Sequence, residues 1–94
     1  MAKLTEIFFA LSNQSRLNIY TLVLKGEKNI TEISCKLKQK YPNVLMNLKI
    51  LKNAGMITID KRVTETSQSS FIKGIPFREG TVYEKVYLKL LEEN

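Results

Sequence analysis

At 94 residues with a 44% hydrophobic composition, the chain has material for one small domain, 1–94, with a modest core. No apolar run approaches the roughly 18 residues of a membrane span, and the N-terminal MAKLTEIFFALSN has no small-residue cleavage site after an apolar core of signal-peptide length, so a cytoplasmic location is expected. Fifteen Lys and Arg stand against nine Asp and Glu, while a single cysteine and no histidine exclude an intramolecular disulfide and leave a poor donor set for metals.

Residues from Lys3 to Leu11 place Leu4, Ile7, Phe8 and Leu11 on one face and predict a first helix. Phe8 and Phe9 are adjacent and do not easily point the same way: either both are core phenylalanines of a small domain, or one lies outside the monomer core and packs against a second subunit. Asn13 then breaks the periodicity and offers a side-chain oxygen to cap a second helix, Gln14 to Lys25, with Leu17, Tyr20, Val23 and Leu24 inward and Gly26 as the stop. Arg16 falls in the first turn of that helix, where a cation opposes the helix dipole. An acidic side chain or a DNA phosphate is expected to compensate it.

After a GEKN link, Ile30 and Thr31 open a short third helix in which Thr31 is the expected cap, Glu32 suits the positive end, and Ile33 and Leu37 are buried. The fourth helix is the best marked. In KYPNVLMNLKILKNAGMI, Val44, Leu48 and Leu51 recur at i, i+4 and i+7, Pro42 fits the first turn, and Gly55 closes the helix before a β-branched run. Between Lys36 and Arg62 stand seven basic residues and one acidic one, a local balance of +6 equal to that of the whole chain. Positive charge concentrated around one helix is the footprint of a polyanionic partner, although a solvated lysine-rich surface gives the same count. Two short helices joined by a tight turn, the second flanked by lysines, describe a helix-turn-helix with its recognition helix at about 42–53.

Beyond Gly55 the period becomes two, with Ile57, Ile59, Lys61 and Val63 alternating against polar residues. ETSQSS follows as a turn or tip, and FIKGIPFREG brings Lys73 and Arg78. The tail, TVYEKVYLKLLEEN, fits a helix with Val82, Val86 and Leu90 aligned beside Tyr83, Tyr87 and Leu91, and as a strand it alternates as a wing's return strand would. The helical reading is preferred, since only Leu88 is out of place. Its tyrosines are expected to pack rather than to catalyse.

The stretch from Leu11 to about Ile59 resembles the ArsR-type winged helix-turn-helix regulators, whose pattern is roughly L-S-D-P-T-R-L-x-I-L, then V-S-E-L-A-x-x-L, then H-L-x-x-L-x-x-A-G-L-V. Leu11, Ser12, Arg16, Leu17 and Ile19 match the first block, Thr31, Glu32, Ile33 and Leu37 the second, and Leu48, Leu51, Ala54, Gly55, Met56 and Ile57 the third. The resemblance implies an α+β, mainly helical winged helix-turn-helix with a two-stranded wing at about 57–80, acting as a homodimeric, double-stranded-DNA-binding transcriptional regulator. Many members of that family sense metals through a Cys-x-Cys pair whose matching positions here are Asn29 and Thr31. Cys35 is expected on an outer face, so no metal or other cofactor is expected.

The recognition helix departs from the family too, with Pro42, Asn43, Leu45, Met46 and Asn47 where Ser, Thr, Arg and His are usual. Asn43 and Asn47 suit adenine and Met46 suits a thymine methyl, so these three are the expected base readers. Arg16, Lys38, Lys40, Tyr41, Lys49, Lys61, Arg62, Lys73 and Arg78 are the expected backbone contacts, and Phe8, Phe9, Val82, Val86, Tyr87 and Leu90 the expected dimer contacts. Leu45 and Met46 also permit an alternative, a protein-interaction module on a winged-helix scaffold. No nucleophile motif, glycine-rich phosphate loop or carboxylate cluster points to an enzyme.

Overall fold

Side chains that take up free N–H groups set where three of the helices begin. In the computed structural model, which describes residues 4–93, the elements are α1 (Leu4–Leu11), α2 (Gln14–Leu24), β1 (Lys28–Asn29), α3 (Ile30–Leu37), α4 (Tyr41–Asn53), β2 (Ile57–Val63), β3 (Gln68–Gly74) and α5 (Val82–Glu92). Lys3 and Asn94, the outer ends of the first and last predicted segments, lie outside the described residues. Asn13 caps α2 by accepting from the Arg16 N–H, and Thr81 caps α5 by accepting from that of Glu84. For α3 the cap is Asn29 rather than Thr31. Its side chain accepts from the Glu32 N–H at 2.8 Å, while the Glu32 carboxylate accepts from the Asn29 N–H at 3.1 Å. Glu32 stands three residues after Asn29, the spacing that lets both bonds form at once.

The core is built around α2, whose Leu17, Ile19, Tyr20 and Val23 are all buried. Ile7, Ala10 and Leu11 cover it from α1, Ile33 from α3, Val44, Leu48 and Leu51 from α4, and Ile57 and Ile72 from the sheet. Each large apolar side chain buried this way contributes about 1.5–3 kcal/mol relative to exposure. Gly55 closes the end of α4 with φ of 75°, a left-handed conformation that a side chain disfavours.

The sheet has three antiparallel strands in the order β1-β3-β2, one more than the expected two. Lys28 pairs with Ile72 and Asn29 with Phe71, so part of the polar GEKN link becomes an edge strand that no apolar alternation announces. In the hairpin, Ile59 faces Ile72 and Val63 faces Gln68. The turn is held by the Thr64 N–H donating to the Ser67 carbonyl at 2.8 Å. Gln68, Ser69 and Ser70, expected in the tip, therefore belong to β3. At the hairpin base, β3 runs so close to α2 that a Cβ on Gly74 would stand 2.9 Å from the Leu24 nitrogen.

The expected wing of 57–80 ends at Gly74. Arg78 stands not on the wing but in the connection to α5, where its carbonyl accepts from the Thr81 hydroxyl at 2.8 Å. That connection is anchored by the Ile75 N–H on the Met56 carbonyl and by the Tyr20 hydroxyl on the Ile75 carbonyl, and Phe77 then sits among the rings of Tyr20, Tyr83 and Tyr87. The tail is a helix, as its 3.6-residue period predicts. Tyr87, expected at a dimer seam, is instead buried in the monomer, its ring 5.1 Å from that of Tyr20 and its hydroxyl 2.6 Å from that of Thr21.

Burial pushes the Tyr20 hydroxyl well above the usual tyrosine range, Tyr87 beside it adding to the rise, and burial raises Tyr87 as well. The fold favours the neutral phenols, whereas the unfolded chain ionises them near pH 10. Their contribution to stability is therefore complete below about pH 10 and is lost as pH rises beyond it. Urea midpoints should hold up to about pH 10 and fall increasingly above it, and Tyr87→Phe should flatten that fall.

Candidate nucleic-acid interface

The spacing along α4 divides the helix into an inner and an outer face. Val44, Asn47, Leu48 and Leu51 turn inward and are buried, while Pro42, Asn43, Leu45, Met46, Lys49, Lys52 and Asn53 are exposed. Met46, 58% exposed, and Leu45, 43% exposed, form the apolar crest of the outer ridge. A cleft flanks each side of that ridge. On the α2 side, a cleft of ≈ 550 Å³ is lined by Asn13, Ser15, Arg16, Lys38, Gln39, Lys40, Asn43, Met46 and Asn47. On the wing side, one of ≈ 560 Å³ runs between α4 and the hairpin, with Leu45, Leu48 and Ile59 in its wall and Lys49, Lys52 and Lys61 around it.

The start of α4 differs from those of α2, α3 and α5. Lys40 occupies the N-cap position without a side-chain hydrogen bond, Pro42 stands in the first turn, and no acidic residue is there. The positive end of the helix dipole therefore adds to the charges of Lys38 and Lys40. Among the described residues the ion pairs join Arg62 to Glu27 and Asp60, and Lys89 to Glu92, so no carboxylate offsets Lys38, Lys40, Lys49, Lys52 or Lys61.

Lys38 closes α3 in a left-handed conformation, φ 53° and ψ 42°, with its N–H on the Ser34 carbonyl. A lysine there costs up to about 1 kcal/mol relative to glycine. Lys38→Gly should accordingly raise stability in urea by up to that amount while weakening DNA binding and lowering its salt dependence by about 0.9 in log–log slope. Unchanged DNA affinity in the more stable variant would separate Lys38 from the interface.

Besides Arg78, three expected DNA contacts are placed otherwise. Arg16 is buried, and within the chain backbone carbonyls rather than a carboxylate compensate it. Its Nε donates to the Ala10 carbonyl at 3.0 Å and its Nη2 to the Phe9 carbonyl at 2.8 Å, so the guanidinium takes up the negative end of α1. Desolvation lowers its pKa from the usual arginine value. Asn47, expected to read bases, is 4% exposed and turned toward Arg16. Arg62 belongs to the strand face of Thr58 and Asp60, where it binds Asp60 and Glu27 at 3.0 and 2.9 Å and lies over the Phe71 ring at 4.1 Å. Those two carboxylates hold its pKa above the usual arginine value and occupy the guanidinium. Lys61, one residue away, points with Ile59 into the wing-side cleft.

Tyr41, Asn43, Lys49 and Lys73 are exposed. Phe8 packs against Tyr83 within the chain, at 6.1 Å between ring centres, whereas Phe9 stays 58% exposed over Arg16. Val82 is 54% exposed, and Val86 and Leu90 are partly buried on the same helix. Cys35 is exposed on α3, and among the described residues no three His, Cys, Asp or Glu side chains stand close enough to hold a metal ion. No helix among them is long and apolar enough to cross a membrane.

Residues 13–58, from the cap of α2 to the start of β2, match the family model described as bacterial regulatory protein, arsR family. No curated protein sequence matches the chain. Among solved structures, the fold is similar to that of a possible transcriptional regulatory protein from Mycobacterium bovis, at 18% identity and a TM-score of 0.71 over 96% of this chain and 90% of that one. It is similar to HlyU from Vibrio cholerae at 20% identity and 0.64, over 95% and 87% of the two chains. NolR from Sinorhizobium fredii gives 16% identity and 0.67, over 95% and 80%. These likenesses establish a winged-helix fold.

Proposed function

From the match of residues 13–58 to the arsR-family helix-turn-helix, we propose that this chain is a transcriptional regulator that binds double-stranded DNA sequence-specifically as a homodimer, with α4 in the major groove. The observation that carries the proposal is the outer ridge of α4, set between two clefts and surrounded by lysines that have no carboxylate partner among the described residues. Met46 and Leu45 meet thymine methyl groups, and Asn43 pairs with adenine, which favours A·T-rich sites. Lys38, Lys40, Tyr41, Lys49, Lys61 and Lys73 hold the phosphates. Arg62 and Arg78 leave that set, the first because two carboxylates hold it and the second because it is not on the hairpin.

In the proposed dimer the seam runs along α1 and α5 through the exposed or partly buried Leu4, Val82, Val86 and Leu90, and the two copies of α4 enter major grooves about one DNA turn apart. Phe8 and Tyr87 are used inside the monomer and take no part. No metal or cofactor is assigned.

The test is a titration of the purified protein against a selected duplex pool and random-sequence duplex at two salt concentrations, with mass measured in parallel. A dimer that prefers the selected pool, with affinity falling steeply in salt, is the expected result. Absence of DNA binding at low salt, with a protein captured through Leu45 and Met46 instead, would replace the regulator by an interaction module.

A further inference from the structure

Asn47 follows Met46, which is 58% exposed, yet is itself only 4% exposed, a polar group among Val44, Leu48 and Leu51 on the inner face of α4. Its Oδ1 accepts from Arg16 Nη1 at 3.5 Å. The same guanidinium binds the carbonyls of Phe9 and Ala10, and its Cζ lies 4.7 Å from the centre of the Phe9 ring. One buried cation, rooted in the first turn of α2, thus grips the end of α1 and touches the middle of α4.

We infer that Asn47 is a positioning residue: through Arg16 it fixes the roll of α4 about its own axis, and so the direction in which Asn43 and Met46 face. This rests on the DNA-binding reading above. Apolar contacts tolerate small rotations of one helix on another, because any nearby methyl group fills the space. A buried guanidinium N–H is satisfied only when an acceptor returns to the same place. A turn of α4 by one residue would carry Asn47 away from Arg16 and break that bond, leaving the guanidinium facing the α2-side cleft that both residues line. The Asn47 side chain thereby specifies the helix orientation without touching a base.

Two substitutions separate positioning from base reading. Asn47→Leu fills the volume and removes the acceptor. Asn47→Asp keeps an oxygen beside Arg16 but lacks the amide donor that pairs with adenine. Positioning predicts that Asn47→Leu lowers the ratio of specific to random-sequence affinity by about tenfold, while Asn47→Asp stays within about threefold of the original ratio. If the Asp variant loses as much discrimination as the Leu variant, Asn47 reads a base and the inference fails. An unchanged ratio in the Leu variant also overturns it.

Amide hydrogen exchange gives a readout that needs no DNA. Protection in the first two turns of α4 should drop in Asn47→Leu and persist in Asn47→Asp, and unaltered protection in the Leu variant would overturn the tie. If the unsubstituted protein binds no duplex, the DNA reading falls while exchange still decides the role of Asn47. Should Asn47→Leu fail to fold, Arg16→Lys, which keeps the charge and loses the fork, takes its place in both measurements.

Discussion

Tyr20→Ala should cost about 3–5 kcal/mol of folding stability, the usual range for deleting a buried aromatic side chain. Tyr20 is fully buried, its ring 5.5 Å from that of Phe77 and 5.1 Å from that of Tyr87. Removing the ring opens a cavity where α2, the segment after β3 and α5 meet, and also leaves the Ile75 carbonyl without its 2.7 Å donor. Small domains carry only about 5–15 kcal/mol in total, so this loss removes a large share of it and should lower the melting temperature by more than about 10 °C. Tyr20→Phe separates the two losses. It keeps the ring and removes only the hydrogen bond, at about 1 kcal/mol. Urea titration of both variants decides the matter, and an alanine variant no weaker than the phenylalanine one would mean that the aromatic cluster does not tie α5 to the helix-turn-helix. Because the proposed seam includes α5, Tyr20→Ala should also lower the dimer fraction at concentrations where Tyr20→Phe remains dimeric.

What the sequence makes legible depends on whether a signal is local. The bounds of α2 and α4 follow from Asn13, Pro42 and Gly55 acting within a few residues of themselves, and the tail declares its helix through a 3.6-residue period. The α3 cap has a local signal as well, since Asn29 and Glu32 have the spacing of a capping box, but Thr31 is of a good capping type too and competes with it. Strand β1 is hidden for a different reason, because its two residues are strand only by pairing with Phe71 and Ile72, far away in sequence.

The site is harder to read than the scaffold. Charge points to α4, and the exposed Asn43, Met46 and lysines stand there. Charge alone does not distinguish Lys61, facing the cleft, from Arg62, held by the distant Glu27. Strand alternation does contain part of that answer, since adjacent residues must point to opposite faces. Arg16 requires something composition never shows: its partners are backbone carbonyls, and every residue has one. For Asn47, helical spacing from Val44 and Leu51 already points inward, and its amide suggests a base only when its chemistry is weighed ahead of its position.

Replacing Lys40, Lys49 and Lys61 together by glutamine should reduce the dependence of log K on log salt by about 0.9 for each phosphate left unneutralised, or about 2.7 if all three touch DNA. All three are exposed and lack carboxylate partners among the described residues, so glutamine removes charge without stranding an anion. Lys40 stands at the start of α4, Lys49 along its outer face and Lys61 across the wing-side cleft, so the triple variant samples both ends of the proposed footprint. Phosphates carry no sequence, hence affinity for specific and random duplexes should fall together and their ratio should hold. Lys89→Gln on α5 is the control, since that lysine lies beside the proposed seam next to Glu92. It should leave the slope unchanged. If the triple variant keeps the original slope, or Lys89→Gln alters it as much per charge, binding reflects net charge alone and α4 is not the element that meets DNA. A lowered slope with a changed ratio would instead mark at least one of the three lysines as a base contact, and the single variants would then show which.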